Sequence, residues 1–363
     1  MASNDTVAMA LGGYRRDMLS LCIAAPLLLQ VTAPDPSLAT STGDPSYDFD
    51  FWIGAWSVQN RHLQPDGSWV DGTKTRARIS PVLDGAALLE QWAGPFNGTF
   101  MNGFSLRSYA PEDGKWTILL FWTTDGNASF GTMSGTFRHG RGLFESRWTD
   151  AAGASQALRY TFSDALAQTV RWDSARSSDG GVNWKTDWIM EFARTAPASQ
   201  TKEAQLFTQP WNAGALSPYV ETRALDWMRG SWEGEERRED VEPRRVKLDA
   251  TLMAKDCLLF TSVGTWNPNT EDWDKEVRIG GYVAQNQRWE QWGASEEDRK
   301  LRGSVGAETE TGFVFTRTGK GGVVVREYVE RMSHDLMRWK RTVQEGEGEE
   351  RTLVVREFAR TSG

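Results

Sequence analysis

The chain has 363 residues, more than one hydrophobic core usually supports, so two domains of ordinary size are expected. A formal charge of −8, with Lys and Arg interleaved among Asp and Glu, leaves no basic face for phosphates and argues against nucleic acid as a partner. Two cysteines, Cys22 and Cys257, and three scattered histidines, His62, His139 and His334, argue against a disulfide framework and a metal site. No phosphate loop, dinucleotide fingerprint or nucleophile elbow calls for a cofactor.

Residues 1–45 read as a leader. Arg15 and Arg16 precede an apolar run from Leu19 to Val31, broken by Pro26 and followed by Ser37-Leu38-Ala39. This resembles a twin-arginine export signal with a small-x-small cleavage site, which implies a periplasmic or secreted protein. The alternative is a disordered extension on a cytoplasmic one. The run is too short to span a bilayer, which needs roughly twenty apolar residues, so no membrane span is expected.

Beyond the leader the chain repeats itself. Asp-Phe-Trp-Ile-Gly-Ala-Trp-Ser-Val at Asp50 to Val58 recurs as Asp-Trp-Met-Arg-Gly-Ser-Trp-Glu-Gly at Asp226 to Gly234. Arg171-Trp172 recurs as Arg338-Trp339, and Glu-Phe-Ala-Arg at Glu191 to Arg194 recurs at Glu357 to Arg360. The offset shrinks slowly, as it does when two copies of one fold differ in loop length. The first domain is then 46–196, the linker 197–221 with Pro197, Pro210 and Pro218, and the second domain 222–363. A composition of 18 Trp, 16 Phe, 7 Tyr and 35 Gly suits pleated sheets with tight turns. Asp113-Gly114 and Asp179-Gly180-Gly181 lie between apolar runs and read as hairpin turns, and Leu158, Tyr160 and Phe162 alternate with Arg159 and Thr161. The expected fold class is all-β: two tandem antiparallel barrels of about eight strands each, with helices no longer than caps.

Each copy opens with Gly-x-Trp (Gly54 to Trp56; Gly230 to Trp232) and closes with an arginine, Arg194 or Arg360. That pairing resembles the lipocalin and wider calycin families, which implies that Trp56 and Trp232 plug their barrel floors with the terminal arginines packed across them. The first domain is also similar to an uncharacterised Trp-rich bacterial family. That likeness is carried by Phe49 to Trp56, Leu89 to Trp92, Tyr109 to Trp116 and Ser177 to Trp184. The haem-binding calycin branch has a longer Gly-rich first strand and an axial His, and neither stands here.

If Trp56 points inward, alternation sends Val58, Asn60 and His62 the same way, with His62 nearest the mouth. The same parity faces Trp122, Trp148, Tyr160, Trp172 and Trp188 inward. These rings either line a pocket for a small hydrophobic molecule or simply fill the barrel. Glu90, between Leu88 and Trp92, is the candidate general acid or base, with His62 and Tyr160 as helpers in proton movement; a carboxyl so flanked is expected to have a raised pKa. Its alternatives are a salt bridge to Arg76, Arg78 or Arg147, or the solvent face. The second domain carries 24 Lys or Arg with 27 Asp or Glu over 142 positions, against 14 with 16 over 151 in the first. It is therefore expected to be a tighter barrel or a docking partner in contact with the first, and the pocket is expected in the first. Three functions follow: a binding module for a hydrophobic or aromatic molecule, a cofactor-free isomerase or cyclase, or a scaffold with filled barrels.

Overall fold

A computed structural model describes residues 43–96, 99–124, 127–196 and 217–362. The leader's Arg15, Arg16 and Cys22, and most of the linker, lie outside the described residues. The described residues belong to one compact unit, Asp35–Gly363. Among them no helix is long and apolar enough to cross a membrane.

Barrel one is formed by β1 (Gly54–Leu63), β2 (Trp69–Val82), β3 (Ala87–Phe96), β4 (Thr99–Ala110), β5 (Lys115–Thr124), β6 (Asn127–Arg138), β7 (Arg141–Thr149), β8 (Ser155–Ser163), β9 (Thr169–Ser177) and β10 (Lys185–Ala196). Barrel two repeats the plan with β11 (Gly230–Arg238), β12 (Val241–Met253), β13 (Leu258–Asn267), β14 (Asp272–Val283), β15 (Arg288–Ser295), β16 (Arg302–Glu308), β17 (Gly312–Thr318), β18 (Val324–Arg331), β19 (Leu336–Gln344) and β20 (Arg351–Ser362). Within each barrel every strand pairs antiparallel with the next, and β1 with β10 and β11 with β20 close the two rings. Ten strands per barrel replace the eight expected. Connections such as His139-Gly140, with φ of 52° and 72°, take only two residues in a left-handed turn, so nearly all of each repeat is free to form strands.

The floor of each barrel is closed by two short 3-10 turns that precede the first strand: Pro45–Tyr47 and Asp50–Trp52 in barrel one, Val220–Arg223 and Asp226–Met228 in barrel two. The Trp56 indole N–H donates to the Trp52 carbonyl at 2.9 Å, and that of Trp232 to the Met228 carbonyl at 2.7 Å. The Arg194 guanidinium lies 4.0 Å from the Trp56 ring and donates to the Phe51 and Ile53 carbonyls at 2.6 and 2.5 Å. Arg360 does the same over Trp232 at 4.0 Å, donating to the Trp227 and Arg229 carbonyls at 2.6 and 2.5 Å. In both copies the ladder to the last strand slips beside the tryptophan, between Ala55 and Trp56 and between Ser231 and Trp232. Such a bulge re-aims a side chain. Gly54 is required here: its φ is 144°, and an added Cβ would stand 2.2 Å from the Arg194 guanidinium.

Three hydrophobic clusters result. One fills barrel one around Phe49, Trp52, Trp56 and Phe162. A second fills only part of barrel two, around Trp232, Trp289, Phe315, Trp339 and Phe358. The third is contributed by outward faces of both barrels, Leu89, Phe104 and Phe121 with Phe260, Val277 and Ile279. Beside it Lys275 pairs with Asp84, Lys300 pairs with Asp113 at 2.7 Å, and the Ser108 hydroxyl donates to the Arg299 carbonyl at 2.5 Å.

Candidate functional site

In barrel one the alternation of β1 carries Trp56, Val58 and Asn60 to the interior. Asn60 is fully engaged: its amide donates to the Thr73 carbonyl and the Thr75 hydroxyl at 2.8 and 3.1 Å, and its oxygen accepts from the Trp188 indole at 3.0 Å. His62 stacks on Trp188 at 5.5 Å; burial pulls its pKa down, with Asp187 pulling the other way. Trp172 packs edge-on against both Tyr160 and Trp188, at 4.5 and 5.1 Å, and Trp122 lies 6.0 Å from Trp188. Burial pushes the Tyr160 phenol well above its ordinary value.

The space left among these rings is about 20 Å³, bordered by Glu90, Trp122, Tyr160 and Trp172. That is room for one water. The space is small because of the floor: Phe49 and Trp52, carried in by the 3-10 segment, pack against Phe144, Phe162 and Phe192 inside the barrel. Trp148 takes no part in the lining. It shares the parity of Phe144 but stands near the end of β7 and is 44% exposed.

Glu90 faces inward and is only 8% exposed. Its partner is none of Arg76, Arg78 or Arg147: Arg107 donates to it at 2.5 Å and the Ser105 hydroxyl at 2.8 Å. The Arg107 guanidinium in turn lies 5.0 and 5.4 Å from the Phe49 and Trp52 rings. Sequence reasoning missed Arg107 because the pairing needs the register of β3 with β4, which sets Glu90 opposite Ser105 and Leu88 opposite Arg107. The candidate acid is thus half of a buried ion pair, and His62 does not border the space that Glu90 and Tyr160 share.

Barrel two is built the other way. Its lower interior is apolar, and its upper interior is a cavity of about 730 Å³ with charged walls. On β14, Val277 and Ile279 pack in the cluster shared with barrel one, so the alternate residues Glu276 and Arg278 face the lumen. Three carboxylates organise the wall. Glu236 accepts from Arg238, Arg244 and Arg356 at 2.8, 2.7 and 2.7 Å, and from the Thr265 hydroxyl at 3.2 Å. Glu276 accepts from Arg278 at 2.8 Å, Arg341 at 3.1 Å and Arg356. Glu327 accepts from Arg341 at 2.8 Å and Arg278 at 3.2 Å. Arg278 is also stacked 4.1 Å from the Trp339 ring.

Burial alone would raise these carboxylates, but the arginines outweigh it: Glu276 is held well below its ordinary value, Glu327 below it, and Glu236 at about 2. A folded-state pKa depressed from 4.5 means that stability from Glu236 is fully present above the unfolded value and is lost as pH falls toward 2. An unfolding series between pH 5 and 2 should therefore lose roughly 3 kcal/mol through this group, and Glu236→Gln should flatten that part of the profile. A profile unchanged by the substitution would contradict the assignment.

The arrangement offers forked guanidinium donors around an open space, suited to recognising planar anionic or polar groups. Among the described residues no group of three or more His, Cys, Asp and Glu could hold a metal ion. The two barrels are compatible with ligand binding, and the larger volume lies in the second.

No family model matches the chain, and no curated protein matches it. Among solved structures, it is similar to a protein of unknown function from the DUF3598 family of Nostoc punctiforme. The identity is 11%, over 88% of this chain and 99% of that one, with a TM-score of 0.23. It is also similar to kievitone hydratase from Nectria haematococca, at 7% identity over 90% of this chain and 94% of that one, with a TM-score of 0.13. Likenesses at these scores carry no argument about function, and the chain stands, on its own strand pairings, as an all-β protein of two closed ten-stranded antiparallel barrels in tandem.

Proposed function

We propose that this protein binds a polar small molecule in the lumen of barrel two, with barrel one as a packed support. The observation that carries the reading is the contrast in free volume, about 730 Å³ in barrel two against about 20 Å³ in barrel one. The first lies within the roughly 300–1,000 Å³ of small-molecule sites, and the second admits a single water. A hydrophobic ligand in barrel one, or an isomerase or cyclase acting there through Glu90, His62 and Tyr160, would need a lumen that the rings already occupy. The supporting role of barrel one follows from what it touches. The connection between β15 and β16 stands at the mouth of the lumen, and its Arg299 and Lys300 are held by Ser108 and Asp113.

Native mass spectrometry of the full chain tests the reading, with Ser304→Trp as a plug, because Ser304 borders the lumen and an indole there would fill part of it. The wild type is expected to carry or take up small molecules, and the plugged variant is expected to lose them while unfolding at a similar temperature. Equal uptake by both would contradict a site in barrel two.

A further inference from the structure

Resting on the reading that barrel two's lumen is the binding site, we infer that its ligand is an organic anion whose acidic group is received by Arg317 and whose body lies toward Phe315. The carboxylates of the inner wall are already used. Glu236, Glu276 and Glu327 each accept from at least two arginines, so a cationic ligand would have to displace a guanidinium to find a partner. Donor capacity, by contrast, is left over. Arg244 Nε and Arg278 Nη1 are buried without a hydrogen-bond partner, and no buried oxygen of the three glutamates is in that condition. Seven arginines line the lumen, Arg238, Arg244, Arg278, Arg302, Arg317, Arg341 and Arg356, and six of them are already paired with acids.

Arg317 is the member of this set with no ion pair among the described residues. It reaches the lumen from β17, two positions after Phe315 and on the same face. Burial and the neighbouring Arg302 and Arg341 pull its pKa down, with Glu327 and Asp298 pulling the other way. Neither of those acids pairs with it, since Glu327 is held by Arg278 and Arg341. Glu296, Glu297 and Asp298 lie on the connection between β15 and β16, and Asp298 is taken by Arg302. Asp274 pairs with Arg244 at 3.5 Å. An inorganic ion would leave most of about 730 Å³ unused, and Phe315 and Val325 give the lumen an apolar side, so an acid with a hydrophobic or aromatic body fits both the charge and the volume.

The test uses a matched pair of fluorescent probes on the full chain: 8-anilinonaphthalene-1-sulfonate, and N-phenyl-1-naphthylamine, which has the same rings without the sulfonate. The sulfonate is expected to bind at least tenfold more tightly. Arg317→Gln should weaken it about tenfold or more, Arg317→Lys should restore much of the loss, and neither change should alter the neutral probe. If both probes bind equally and Ser304→Trp abolishes both, the lumen is a binding site but the anion inference is overturned. If neither probe binds, or the plug removes neither, the binding reading itself fails and the inference with it.

Discussion

Replacing Glu276 by Gln is expected to destabilise the protein by about 3–5 kcal/mol, the scale on which removing one partner of a buried ion pair acts. Glu276 accepts from Arg278, Arg341 and Arg356, and these three guanidinium groups share a confined, largely desolvated wall. Glutamine keeps the volume, so no packing defect accompanies the change. What remains is three like charges with one fewer counter-charge, and an amide N–H₂ turned toward donors. Urea unfolding should show a lower midpoint at an unchanged slope. A loss under 1 kcal/mol would mean that water, rather than Glu276, neutralises the arginines.

Trp56→Ala and Trp232→Ala should each cost about 3–5 kcal/mol, as large aromatic deletions in cores do. Each indole is fully buried at its barrel floor, donates to the preceding 3-10 turn and carries an arginine over its face. The substitution therefore removes a ring, a hydrogen bond and a cation–π contact at once, and it unseats the turn that closes the barrel. Trp148→Ala is the control. At 44% exposure it should stay within about 0.5 kcal/mol. Comparable losses at Trp148 and Trp56 would contradict the plug.

The plug was legible in the chain because it is local: Gly-x-Trp at one end of each repeat, Arg at the other, and an offset that aligns them. Strand alternation was legible for the same reason. What alternation cannot give is which face is the lumen when both faces are buried. On β14 the apolar face of Val277 and Ile279 is turned to barrel one and the charged face of Glu276 and Arg278 is turned inward, the reverse of an isolated barrel. The charge of the second domain therefore read as a tighter barrel, and the pocket was placed in the first domain. The occupancy of that first lumen was hidden as well, since Phe49 and Trp52 enter it from a turn and not from a strand. Arg107 was out of reach for a third reason. A cross-strand ion pair is set by register, and neither strand alone reveals which residues of the other it faces.

The central claim is that the functional space of this protein lies in barrel two. A crystal structure of the full chain soaked with 8-anilinonaphthalene-1-sulfonate tests it most directly. The account predicts density for the probe inside barrel two, its sulfonate within hydrogen-bond reach of Arg317 and its rings against Phe315. Density among Trp122, Tyr160 and Trp172 of barrel one, with the lumen of barrel two holding only water, would contradict it.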